Sequence, residues 1–139
     1  MITIFSNNNL VSDFLKANPL PVEIKHLICP AFDVLIKVRA KVKSGGVLVS
    51  NPMAGIYVQK ETLNPMAINP YLSLIVSVTE KTIDFNSMRM LDQAIAVYKK
   101  HANLQFISHS DETVDNFKNH DLQDLIAALN TLISPNVRH

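Results

Sequence analysis

Short apolar runs alternate along this chain with segments of helical periodicity, and that alternation constrains the fold more than any other feature. Residues 2–5 form an apolar run that ends in the turn and cap cluster Ser6-Asn7-Asn8-Asn9. Leu10, Val11, Phe14 and Leu15 then recur at helical spacing until Pro19 and Pro21 stop the helix. Residues 22–28 predict a second strand, closed by Pro30. Over 31–43 the stripe Ala31, Leu35, Val38 and Val42 predicts an amphipathic helix, ended by Ser44-Gly45-Gly46. Val47-Leu48-Val49 is a short strand without polar alternation, as expected when both faces are covered. A Pro-rich stretch over 50–70 follows, in which only Ile56-Tyr57-Val58 resembles a strand fragment. Connections of this length are functional loops, interfaces or disordered segments more often than plain linkers.

The second half repeats the alternation. Residues 71–78 give the strongest strand signal, with Leu72, Leu74, Ile75, Val76 and Val78. Asp84 or Asn86 can cap a helix striped by Leu91, Ala94, Ile95, Tyr98 and Ala102, and 104–107 predict a fifth strand. Residues 108–120 are polar, and Asp121 can cap a closing helix with Leu122, Leu125, Ile126, Leu129 and Leu132 on its buried face. The order β-α-β-α-β-loop-β-α-β-α predicts one α/β domain over residues 1–139. The expected architecture is a three-layer, Rossmann-like sandwich, with a mostly parallel sheet of about five strands and helices on both faces.

Composition narrows the function classes. Thirteen basic and twelve acidic residues give a net charge of +1, with three Tyr, six Phe and no Trp, so nucleic-acid binding lacks its electrostatic and stacking signatures. No apolar run approaches the roughly 18–20 residues that span a bilayer. The N-terminus has no basic region or cleavage site of a signal peptide. Cys29 stands alone, which suits a reducing compartment, and a cytoplasmic location is expected. Only 18% of the residues are charged, and the 50–70 loop carries Met53, Ile56, Tyr57, Val58, Met66 and Ile68. Together these predict a homodimer that covers the loop; the alternative is that the loop folds back over its own sheet.

Several stretches, in order along the chain, resemble the GrdX family. They are Ser6-Asn7-Asn8-Asn9-Leu10-Val11, Phe32-Asp33-Val34-Leu35-Ile36-Lys37-Val38-Arg39, Val47-Leu48-Val49-Ser50-Asn51-Pro52-Met53-Ala54-Gly55 and Asn69-Pro70-Tyr71-Leu72-Ser73-Leu74-Ile75-Val76-Ser77, with Gln93-Ala94-Ile95 and Asp121-Leu122-Gln123-Asp124-Leu125-Ile126 behind them. The chain departs from that family's pattern in having Asn9 where a proline follows paired asparagines, and Asn51 where a histidine precedes the loop proline. It also carries extra residues around 63–69. The resemblance implies proteins encoded beside glycine, sarcosine and betaine reductases. It therefore implies an accessory role, through a partner in such a reductase system or a small ligand, without specifying a reaction.

Ligands of open α/β sheets sit outside the carboxyl ends of the strands. Two loops are expected there, contributing Ser6, Asn7 and Asn8 at a helix N-terminus and Ser50, Asn51 and Gly55 after the third strand. Their amides, hydroxyls and backbone donors suit a small anionic ligand, a carboxylate or phosphate, better than proton transfer. The alternative is that the asparagines are caps and turn formers. No catalytic residue stands out, and only Lys60 and Glu61 could bring a titratable group from the long loop. A small enzyme acting on an amino-acid-like or phosphorylated metabolite is the rival to a non-enzymatic accessory protein. Three glycines cannot build a nucleotide loop, and no cofactor is expected. His101, His109 and His120, with Asp111, Glu112 and Asp115, lack metal-ligand spacing, so no metal is expected. Ser108-His109-Ser110-Asp111 holds triad residue types, but too close in sequence to form one. Cys29 reads as a small buried hydrophobe.

Overall fold

The computed structural model describes residues 2–58, 67–78, 83–101 and 110–137. Its strands are β1 (Ile2–Ser6), β2 (Val22–His26), β3 (Gly46–Leu48), β4 (Tyr57–Val58), β5 (Ala67–Ile68) and β6 (Ser73–Val78). The helices among the described residues are α1 (Asn9–Ala17), α2 (Ala31–Gly45), α3 (Phe85–Lys100) and α4 (Asp111–Val137). The expected fifth strand over 104–107 lies outside the described residues, as do His109, Lys60 and Glu61.

The main sheet runs β2-β1-β6-β3. Among its described strands only β1 and β2 pair parallel; β6 is antiparallel to both its neighbours, β1 and β3. Among the described residues the sheet is therefore a four-stranded mixed one, which corrects the expectation of a mostly parallel sheet. Neighbouring parallel strands need a crossover, usually a helix, and the described residues of the 49–72 connection contain none. The chain returns beside β3 in the opposite sense, with β6 inserted between β3 and β1.

Side-chain alternation along the strands sends residues to opposite faces. Phe5, Leu48, Leu74 and Val76 pack with Val34, Leu35 and Val38 of α2 and with Leu91, Ala94 and Tyr98 of α3. Ile4 and Ile75 face the other way, onto Val11 of α1 and Leu125 and Leu129 of α4. Helices thus cover both faces. The stripe expected for α2 is the observed one with Val34 added, and the α3 stripe is buried at Leu91, Ala94, Ile95 and Tyr98. Gly45 takes φ 126°, a conformation open mainly to glycine, and this turns α2 directly into β3.

The described parts of the long connection fold back on the molecule. Ile56 and Ile68 are buried in the α2–α3 core, Met53 packs against it, and β4 pairs with β5. For these three side chains, then, the loop supplies its own cover.

α4 corrects a second expectation. The helix begins at Asp111, ten residues before Asp121, with the Ser110 hydroxyl accepting from the Thr113 amide. Asp121 is therefore no cap. It lies on the buried row Phe117, Asp121, Leu125 and Leu129, spaced by four.

Candidate functional site

β1 and β3 run in one direction and β6 in the other, so the ends of β1, β2 and β3 share an edge with the start of β6. There Ser6 and Ser73 are register partners, and their hydroxyls are 2.7 Å apart. Both follow the alternation of Ile4 and Ile75, which places them on the α4 side. Leu125 packs on those isoleucines, so Asp121, one helical turn earlier, stands over the two serines.

The Asp121 side chain is fully engaged. Oδ1 accepts from the Ser73 amide (2.9 Å), while Oδ2 accepts from the Ser73 hydroxyl (2.6 Å) and from Asn8 Nδ2 (3.0 Å). Asn8 is buried and caps α1: its Oδ1 accepts from the Leu10 amide, and its Nδ2 also donates to the Lys118 carbonyl. The Ser6 hydroxyl accepts from the Asn8 amide and can donate to Ser73 or to the Asn8 carbonyl. At 6% exposure, burial raises the Asp121 pKa above the ordinary carboxylate value. The bonds from Ser73 and Asn8 pull it back down, and nearby Asp124 adds to the rise.

The hydroxyl chain suits either charge state. With Asp121 ionised, Ser6 donates to Ser73 and Ser73 to the carboxylate. With Asp121 neutral, the carboxyl can donate to Ser73, Ser73 to Ser6, and Ser6 to the Asn8 carbonyl.

In front of this network lies a cavity of about 240 Å³, lined by Ser50, Asn51, Gly55, Ser73, Asp121 and Asp124, with Leu72, Leu125 and alanines as its apolar wall. The Ser50 hydroxyl accepts from the Ile75 amide, extending the β3–β6 ladder to the cavity rim. Asn51 is exposed, and its Oδ1 accepts from the Met53 amide, so it also shapes the turn. Gly55 is required by close approach: a Cβ there would stand 2.5 Å from Asp124 Oδ2. That oxygen is 3.3 Å from His120 Nδ1, near enough for charge attraction, yet neither atom is directed into a hydrogen bond and both are sealed from solvent. Distance alone would make them an ion pair, but their poor directionality leaves Asp124 Oδ2 short of a donor.

Of the six residues singled out in the sequence, Ser50, Asn51 and Gly55 line the cavity, and Ser6 and Asn8 support it from behind. Asn7 does neither. Its Nδ2 donates to the Cys29 and Pro70 carbonyls and its Oδ1 accepts from the Leu72 amide, tying the end of β2 to the approach to β6. Asn69 braces the same approach, donating to the Phe117 carbonyl and accepting from the Tyr71 amide, while Tyr98 donates to its carbonyl. Burial holds the Tyr98 phenol well above its ordinary range, with Asp121 adding to the effect.

Asp121, Asp124 and Ser73 were missed in the sequence. The available signal was the spacing of Phe117, Asp121, Leu125 and Leu129, which puts a carboxyl inside an apolar stripe. Cys29 is partly buried; desolvation and Asp33 push its thiol up, against Lys37. Among the described residues no three His, Cys, Asp or Glu side chains are grouped to hold a metal ion, and no helix is long and apolar enough to cross a membrane.

An α/β sandwich with a polar pocket at one sheet edge is a class shared by many binding proteins and enzymes. The family model described as GrdX-like protein matches residues 3–130, so the chain belongs to the GrdX-like family. No curated protein and no solved structure matches it.

Proposed function

We propose that the edge cavity binds a small molecule carrying a protonated amine, and that the protein is a cytoplasmic, non-enzymatic accessory to an amino-acid reductase system. The observation that carries this reading is the pair of carboxyls, Asp121 and Asp124, on a cavity that also presents Ser50, Asn51 and Ser73. Asp121 already puts a carboxyl where a small anion was expected, and a ligand carrying negative charge alone would be repelled there. An ammonium group in the cavity would instead be attracted by the two carboxyls that line it and would favour ionisation of Asp121. The volume suits a molecule of amino-acid size. The reductase link comes from the family resemblance, and glycine and sarcosine meet both requirements.

The test is a thermal-shift and calorimetric series with glycine, sarcosine, betaine and acetyl phosphate. Glycine and sarcosine should raise Tm. Betaine, without an N–H donor, and acetyl phosphate should not. Asp124→Asn should abolish the shift with little change in the unliganded Tm, since its side chain is 41% exposed. If no amine shifts Tm, or if Asp124→Asn binds as the native protein does, the reading fails.

A small enzyme in the same crevice is favoured by one observation, the Ser6–Ser73–Asp121 chain, whose reversible polarity could pass a proton. NMR of either amine after prolonged incubation separates the readings: an accessory binder returns it unchanged.

A further inference from the structure

The two edges of the main sheet are finished differently. Residues 47 and 49 of the β3 segment face β6, so the Leu48 amide points outward, where it donates to the Ser87 hydroxyl. That edge is short and capped. At the other end of the sheet, among the described residues, β2 has β1 on one side only. The Leu27 amide donates to the Ser6 carbonyl, and by alternation Lys25 and Glu23 also turn their backbones toward β1. Ile24 and His26 therefore present N–H and C=O groups outward, and among the described residues nothing pairs with them. An open edge of this kind is a template for another strand.

We propose that the occupant is a second copy of this chain, with the two β2 strands paired antiparallel about a two-fold axis at Ile24. The sequence of the strand, Val22-Glu23-Ile24-Lys25-His26, is self-complementary in that register. Ile24 and the partner's Ile24 form a hydrogen-bonded pair and exchange both backbone bonds. Glu23 then lies opposite the partner's Lys25, and Lys25 opposite the partner's Glu23. Both are non-hydrogen-bonded pairs, in which Cα atoms come within roughly 4.5 Å. Shifting the axis to residue 23 would oppose two glutamates, and shifting it to residue 25 would oppose two lysines, so charge selects this register.

Apolar surface points the same way. Leu15, Leu20, Val22 and Ile24 line an open groove of about 450 Å³ between α1 and the β2 edge, and pairing at Ile24 joins the grooves of the two copies. The register also carries Ile28, 96% exposed just past the strand, toward the partner's Leu20. The result is one continuous sheet with four strands from each copy. This interface is independent of the ligand reading and uses no residue of the 50–70 loop.

Sedimentation equilibrium over a concentration series tests it with the native protein, Glu23→Lys, Lys25→Glu and the double exchange. The native protein should dimerise. Each single reversal opposes like charges twice across the axis and should weaken dimerisation roughly tenfold or more, while the double exchange restores complementarity and should recover it. Both side chains are exposed, so the fold should tolerate the changes. Independently of any variant, the Ile24 and His26 amides should be protected from hydrogen exchange at high protein concentration and lose that protection on dilution. A native protein that stays monomeric at high micromolar concentration, single reversals that dimerise normally, a double exchange that fails to recover, or amides unprotected at every concentration would each overturn the proposal.

Discussion

The two faces of the sheet are built on different principles. On the α2–α3 side, Val34, Leu35, Val38, Leu74, Val76 and Leu91 are buried together, and polar groups enter at the margin, through Ser87 on the Leu48 amide and the Tyr98 hydroxyl on the Asn69 carbonyl. On the α1–α4 side, a smaller apolar patch of Ile4, Val11, Ile75, Leu125 and Leu129 gives way within one turn to Ser6, Asn8, Ser73 and Asp121. The first face supplies cohesion, at about 1.5–3 kcal/mol for each large aliphatic side chain removed from water. The second gives up some of that gain to hold an ionisable group in a fixed position. A buried carboxyl is tolerated there because three donors are directed at it.

The largest effect should come from the apolar face. Leu35→Ala should cost about 2–5 kcal/mol in denaturant unfolding, through lost burial and the cavity left behind. It should leave the acid side of the pH dependence of stability unchanged, because Asp121 lies on the other face and the titratable groups of this cluster, Tyr98 and Cys29, are both raised from ordinary values of 10.0 and 9.0. A pH profile altered by this substitution would mean that the two faces are not separable.

A smaller loss, about 1–3 kcal/mol, is expected for Asn8→Ala, which uncaps α1 and removes a donor from Asp121. Here the pH profile should change. Without that donor the Asp121 pKa rises further, and the range over which stability falls should extend to higher pH.

The smallest effect concerns pH alone. The native pKa of Asp121 lies above its unfolded value, near 3.8, so the native state holds this proton more tightly. Its contribution to stability is greatest below 3.8, declines as pH rises toward the native pKa, and is constant above it. Asp121→Asn removes the titration, so this component of the urea-midpoint profile should flatten, with a modest offset from the new amide facing Asn8 Nδ2. An unchanged profile would mean that Asp121 titrates normally and that the network does not confine its proton.

Much of this was legible locally. The apolar stripes of α2 and α3 were read from spacing because burial along a helix is set by its own period. Pro19 and Pro21 were expected to end α1, and the helix ends at Ala17; Gly45 was expected to stop α2, and its positive φ does so. The cap at Asp84 was one of two candidates, and the Ser87 amide selects it. Half of the residues singled out for the edge of the sheet line the cavity there.

The rest depended on partners distant in sequence. An aspartate before an apolar stripe gives the same local pattern whether it caps a helix or lies within one. The difference is made by Ser73 and Asn8, 48 and 113 residues away. The direction of β6 is likewise not encoded in its own residues, because an apolar run pairs equally well either way round; its partners β1 and β3 show which way it runs. What the sequence by itself determined was the set of elements and their buried faces, since periodicity and turn chemistry act over a few residues. Only the tertiary structure decided that Asp121 becomes the centre of a polar network, because a carboxyl's state is set by the donors and burial that folding brings to it.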